Sequence, residues 1–557
     1  MPITAMSSAD APADFGQFDV VIVGAGSAGC VLANRLSADA RRRVLLIEAG
    51  GSDNHPWVHI PVGYLFAIGN PRLDWCFRTQ PVPGLNGRSL LYPRGKVLGG
   101  SSSINGMIYM RGQAADYDHW RDLGNPGWGW EDVLPLFRRS ERHFGAADAH
   151  HATEGELRVE QQRLRWPILD EVATAAQQMG IPVSADFNAG DNEGVGYFPV
   201  NQRRGLRWNA RKAFLDPARA RPNLRIVTGA QVVRLTLEGR RVTGAVFRDR
   251  SGHYHVRAGQ EVVLCAGAIG TPQILELSGI GRPDVVRRLG LPMVHALSGV
   301  GENLQDHLQL RMIFSISGAR TLNDRARSLW GKAGIALQYA LTQSGPMAMA
   351  PSQLGIFTRS DPGQDRANIE YHVQPLSLDA FGQPLHRTPA LTVSVCNLRP
   401  STRGASHATS PDPAAAPAIQ PAYLATDADR KVAADSIRHA RRLMAQPHLA
   451  QFSPVEVKPG AGAPDADDAT LAALAADIGT TIFHPVGTAR MGDDALAVTD
   501  AELRVHGLSG LRIADCSVMP RIVSGNTHAP AVMIGEKAAD LIAAGSGLTA
   551  IPRKTAS

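Results

Sequence analysis

Asp19-Val20-Val21-Ile22-Val23 runs straight into Gly24-Ala25-Gly26-Ser27-Ala28-Gly29, and this junction constrains the fold of the 557-residue chain more than any other stretch. An apolar run of strand length ends in G-x-G-x-x-G, and Cys30 to Leu36 continues at helix-compatible spacing. Val44-Leu45-Leu46-Ile47 reads as a second buried strand closing on Glu48. Strand, glycine turn, helix, strand and acid in that order form the βαβ unit that binds the ADP half of a dinucleotide. Gly24 permits the tight turn, Gly26 lets the backbone approach a pyrophosphate, and Gly29 lets the helix lie close to the sheet. Ser27 stands at a helix N-terminus, whose free N–H groups suit an anion. Glu48 is placed to accept from a ribose. The fingerprint alone does not separate FAD from NAD.

The chain is long enough for two or three domains, and 44% apolar residues suffices for their cores. A net charge of +6, with no basic run beyond Arg41-Arg42-Arg43, argues against nucleic acid as a partner. Five cysteines (30, 76, 265, 396 and 516) are scattered without disulfide or zinc spacing, which favours a reducing compartment. The leader MPITAMSSADAPADFGQF has neither a basic start nor an apolar stretch, so it does not read as a signal peptide. No run of about 20 apolar residues is present, so no transmembrane segment is expected. The expected location is the cytoplasm, with peripheral contact at an inner membrane left open.

His55 to Pro83 is rich in Pro, Gly and aromatics and is too apolar for an idle connector. Arg94 to Gly106 carries paired glycines, three serines and Asn105, a loop able to bring backbone amides close to a ligand. Leu224-Arg225-Ile226-Val227, Gln231 to Leu235 and Arg241 to Phe247 alternate like antiparallel strands, and Glu261 to Gly267 is a buried strand. A helix follows over Thr271–Ser278, with Pro272 in its first turn. From about Asp306 to Ile478 the runs Leu310 to Ile316, Ile369 to Val373 and Leu391 to Leu398 suggest an antiparallel sheet, with helices near 325–341 and 427–444. Ala405 to Pro421 reads as connector. Leu511 to Asp515 is a short strand ending on an acid, and Pro530 opens a helix over 531–543. A nucleotide domain begun at one terminus and finished at the other implies an inserted middle. The fold class is therefore α/β, a Rossmann-like domain with a discontinuous, largely antiparallel α+β substrate domain. The boundaries are 1–160, 220–305 and 478–557 for the first, and 161–219 and 306–477 for the second.

Four motifs give the chain a resemblance to the glucose–methanol–choline (GMC) oxidoreductases along nearly its whole length. They are the N-terminal fingerprint with Glu48; Gly95-Lys96-Val97-Leu98-Gly99-Gly100-Ser101-Ser102 through Asn105; Gly267-Ala268-Ile269-Gly270-Thr271-Pro272 to Gly281; and His484-Pro485-Val486-Gly487-Thr488 with Asp515 and Ser524 to Pro530. The resemblance implies FAD rather than NAD. It also implies flavin contacts from Val97, Gly99, Gly100, Ser101, Ser102, Asn105, Ala266, Thr527 and His528, with the main chain at Val233 near the adenine and Asp515 near the ribityl–pyrophosphate region. Some relatives attach the flavin through a His just before the Asn of the second motif. Ile104 stands there, so noncovalent FAD is expected.

Oxidising an alcohol requires a proton acceptor and a hydride acceptor. A neutral imidazole suits the proton, and the resemblance places His484 in that role. It places Asn526 opposite, where an amide can donate to a developing alkoxide; His528, two residues on, is the alternative partner. The expected reaction is oxidation of a small primary alcohol to the aldehyde, with electrons passed to a quinone, another carrier or oxygen. A non-redox lyase of the same fold, cleaving a cyanohydrin, is the rival. Met347, Met349 and Phe357 are equally readable as pocket or core.

Overall fold

The computed structural model describes residues 12–379, 383–460 and 466–545. Two seven-stranded sheets organise them. The first grows around β1 (Ala13–Val23), followed by α1 (Ser27–Leu36) and β2 (Val44–Glu48). Val20 to Val23 are buried on both faces, as a central parallel strand requires. β2 pairs with β1 in parallel, Val20 opposite Val44. On the other side of β1 lies β3 (His253–Leu264), also parallel. The start of β3 continues as an antiparallel meander with Arg241–Arg248 and Gln231–Glu238, whereas its last residues pair in parallel with Leu511–Ile513. Leu224–Thr228 departs from the expected antiparallel set: it is the edge strand beside β2, and parallel. Its alternation reports a half-exposed edge, and an edge has the same period whichever way the strand runs.

The helix after β3, α2 (Gly267–Leu277), begins four residues before the expected start at Thr271, so Pro272 lies in its interior. Pro272 has no N–H for the carbonyl of Ala268. That carbonyl instead accepts the Thr488 hydroxyl at 2.6 Å, which makes an interior proline tolerable.

The second sheet is antiparallel, in the order Val455–Lys458, Leu308–Ser315, Ala390–Asn397, Ile369–Gln374, Leu354–Thr358 and Gly194–Tyr197, with Gly479–Thr481 also on Leu308–Ser315. The three expected runs are its centre. The helices α3 (Leu329–Thr342) and α4 (Asp427–Met444) belong to this body. Met349 and Phe357 fall in apolar core, and Met347 packs against it. Ala405–His407 and Ala418–Gln420 pair as a short hairpin where a connector was expected. Two stretches cross the expected boundaries. Ala213, Phe214 and Leu215 pack into the core of the first sheet, and Leu85 and Leu90 into that of the second, because each carries its apolar side chains to the nearer sheet.

The chain returns to the first body through α5 (His528–Gly545), which lies against α1. A Cβ on Gly535 would stand 2.9 Å from the Ala28 Cα, so the crossing needs that glycine. Among the described residues no helix is long and apolar enough to cross a membrane.

Candidate active site

Between the two sheets lies a cavity of about 300 Å³. One end is built by the βαβ unit. Gly24 turns the chain at φ +104°, and a Cβ there would lie 2.5 Å from the Cys265 carbonyl oxygen. Gly29 does not line the cavity; its missing side chain lets the Gly24 carbonyl sit where a Cβ would be 1.9 Å away. Gly26 and Gly100 meet face to face, a Cβ on Gly100 falling 2.7 Å from the Gly26 Cα. The first turn of α1 has no capping side chain and no acid, so its N–H groups open onto the cavity. Glu48 accepts from the Ala25 and Gly50 amides, each at 2.8 Å, and burial pushes its carboxyl up to about 7. Asp515 accepts from Gly267 N at 2.9 Å, Thr271 Oγ1 at 2.6 Å and Ser517 N at 2.8 Å, and burial raises it as well.

Ser27, Ser101, Ser102, Asn105, Ala266 and Thr527 also line the cavity. Three expected flavin contacts do not. Val97 packs with Val58, Leu73 and Ile104 in a small apolar cluster. Gly99 shapes the turn by donating to the Ala25 carbonyl at 2.8 Å. Ala230, Gln231 and Val232 line the cavity, and Val233, whose main chain was expected near the adenine, follows them directly in the strand without lining it.

The other end holds the titratable groups. His484 follows Phe483, whose φ of +71° is costly for an aromatic residue. Arg94 fixes that turn by donating to the Phe483 carbonyl at 2.6 Å, and Asp306 accepts the His484 amide at 2.8 Å. Asp306 itself is held by Tyr92, Thr481 and Tyr423. On the ring, His484 Nδ1 lies 3.1 Å from His307 Nδ1, and His307 Nε2 lies 3.1 Å from the Leu398 carbonyl. A carbonyl only accepts, so His307 carries its proton on Nε2. Neutral His307 then accepts at Nδ1, and His484 must donate from its own Nδ1. His484 Nε2 is left with a lone pair, facing the Asn526 amide nitrogen at 3.2 Å. Burial is the largest cause holding His484 well below the ordinary imidazole range, and the Arg94 guanidinium pushes the same way. Burial lowers His307 too.

The two candidate partners of His484 are thus separated. Asn526 contacts it, with Oδ1 buried and unpartnered. His528 contacts Ser27 instead, Nδ1 to Oγ at 2.9 Å, at the nucleotide end. Burial takes His528 down to about 4, so it is neutral, and its buried Nε2 has no partner. His307, Asp306 and Arg94 escaped the sequence reading. The run Gln305-Asp306-His307-Leu308 looks like the start of a strand, and nothing local reveals that it meets residue 484.

The comparisons follow this geometry. A family model described as GMC oxidoreductase matches residues 18–309, and its C-terminal counterpart matches residues 400–535. The chain belongs to the GMC oxidoreductases. Among curated relatives, an alcohol dehydrogenase [acceptor] of Pseudomonas putida is 39% identical over 94% of this chain and 95% of its own length. Human mitochondrial choline dehydrogenase is 38% identical over 94% of this chain and 90% of its own. Pyridoxine 4-oxidase from Mesorbium loti superposes with a TM-score of 0.85 at 32% identity, covering 94% of this chain and 98% of that one. Formate oxidase of Aspergillus oryzae gives 0.89 at 26%, covering 96% and 99%. This GMC member is an FAD-dependent oxidoreductase acting on CH–OH donors. The lyase alternative falls with that assignment. The cavity fits the cofactor: the glycine faces leave room for a close-lying group, the uncapped α1 suits a pyrophosphate, and buried polar atoms of Asn526 and His528 await partners.

Proposed function

We propose that this GMC oxidoreductase oxidises an uncharged primary alcohol to its aldehyde, with His484 Nε2 taking the hydroxyl proton. The observation that carries this reading is the line Leu398 carbonyl, His307, His484, Asn526, which leaves an unprotonated nitrogen and an amide N–H converging on one point. A substrate oxygen at that point donates its proton to His484 and accepts from Asn526, so charge developing on oxygen is met as it forms. FAD bound along the cavity supplies the hydride acceptor. Asp306 and Arg94 keep the imidazole aimed, and the buried setting keeps it neutral at pH 7.

The substrate end is lined by Gln309, Ser352, His372, Gln374, Ile482 and Phe483. The carboxylates that line the cavity, Glu48 and Asp515, are engaged by backbone amides elsewhere. Among the described lining residues none offers a free carboxylate to a quaternary ammonium, so choline suits this cavity less than a neutral alcohol does. Ile104 has no atom able to bond the flavin, which supports noncovalent FAD. Electrons pass on to a separate acceptor: a quinone, another carrier or oxygen. We assign the βαβ sheet with α5 to FAD and the antiparallel sheet to substrate. Five unpaired cysteines support a reducing, cytoplasmic setting.

The test is anaerobic bleaching of the flavin by a panel of alcohols with choline included. Bleaching by neutral primary alcohols is expected. Bleaching by choline alone would contradict the substrate class, and no bleaching at all would contradict the reaction.

A further inference from the structure

The helix α3, Leu329–Thr342, turns its apolar side outward. Trp330 is 88% exposed, Leu329 83%, Leu341 76% and Leu337 60%. Ile335 and Tyr339 anchor the opposite side, and the Tyr339 hydroxyl donates to the Gly205 carbonyl at 2.9 Å. At 3.6 residues per turn, Trp330, Ala333, Gly334, Leu337, Ala340 and Leu341 fall within an arc of roughly 120°. All six are exposed, and none is polar. Scattered exposed leucines need no explanation, but a continuous apolar stripe crowned by a tryptophan marks a contact surface.

The charges around the stripe indicate what covers it. Arg320, Arg325 and Arg327 precede the helix and Lys332 rides on it, while residues 325–360 contain no Asp or Glu. Arg320, Arg327 and Lys332 are exposed and take part in none of the ion pairs among the described residues. A second copy docked face to face would set these cations against themselves. An anionic surface with an apolar interior satisfies both features at once. A helix of this length lies in the plane of a bilayer interface rather than across it, and a tryptophan is suited to that depth.

We propose that α3 docks the enzyme onto an anionic lipid surface, the Trp330–Leu341 stripe sinking among the acyl chains and the basic flank meeting the headgroups. The chain leaves α3 through the turn Pro346–Ala348, which packs on Pro61–Gly63, and reaches the cavity wall at Pro351 and Ser352; Tyr64 and Ile68, which follow Pro61–Gly63 in the chain, also line the cavity. Docking brings the cavity close to alcohols and electron acceptors dissolved in lipid. The inference rests on this surface alone, and its failure leaves the alcohol chemistry untouched.

The experiment is co-sedimentation of the FAD-loaded enzyme with phosphatidylcholine–phosphatidylglycerol vesicles and with phosphatidylcholine vesicles. Wild type should pellet with the anionic vesicles. The exposed triple variant Trp330→Ser/Leu337→Ser/Leu341→Ser should bind them at least about tenfold less well, and Arg327→Glu/Lys332→Glu should lose the preference for anionic lipid. Neither variant should change dye-coupled oxidation of a water-soluble alcohol without vesicles, which shows the fold intact. Wild type remaining in the supernatant, or the triple variant pelleting equally well, would overturn the proposal. So would a dimer in free solution that the triple variant breaks, because the stripe would then belong to a second copy.

Discussion

Replacing His307 with alanine tests the tautomer argument without touching the base. His484 Nδ1–H would lose its acceptor at 3.1 Å while staying buried. A buried N–H without a partner costs about 1–3 kcal/mol. The ring can escape the cost by moving its proton to Nε2, and then the lone pair is no longer aimed at the substrate. Either way the penalty falls on proton removal, and at 1.36 kcal/mol per decade it slows flavin reduction by roughly ten- to a hundredfold. FAD content should hold, since the nucleotide end of the cavity is built from other residues. The assay is anaerobic stopped-flow reduction across pH, for His307→Ala, His484→Ala and the double variant. If His307 acts through His484, the double variant is no slower than His484→Ala. An unchanged rate in His307→Ala would refute the argument.

Acid precipitation should release all FAD into the supernatant, because Ile104 cannot tether it; yellow colour left in the pellet would contradict this. Asn526→Ala should slow reduction yet preserve the pH dependence, since Asn does not titrate, and loss of the pH dependence would show that the amide acts otherwise. Thr488→Val removes the donor to the Ala268 carbonyl opposite Pro272 and should cost about 1–3 kcal/mol in urea unfolding, with FAD affinity little changed; a neutral result would mean α2 tolerates its proline unaided.

The nucleotide end was legible because its determinants are local. Gly24 to Gly29 and Glu48 lie within one βαβ unit, and their spacing encodes their geometry. His484 and Asn526 were legible through the motifs around them, although which residue faces His484 was not. That choice depends on Ser27, 501 residues from His528 in the chain, holding the His528 ring. His307 lay beyond reach for the same reason: its meaning arises only when residues 177 positions apart come together. The direction of Leu224–Thr228 and the early start of α2 were misread because exposure period and proline position record burial and local sterics, not partners. The apolar stripe on α3 was hidden in the same way, since a helix period shows that one side is apolar but not which side faces solvent.

The central claim is that His484 takes the hydroxyl proton, and the anaerobic reductive half-reaction of His484→Ala tests it most directly. Wild-type reduction should rise with pH as the imidazole loses its proton and level off below the ordinary histidine range, because burial holds His484 low. The variant should keep its FAD, lose that ionisation and reduce roughly 10²–10⁴-fold more slowly. Reduction of His484→Ala at the wild-type rate would contradict the account, as would finding that His528→Ala alone abolishes the ionisation.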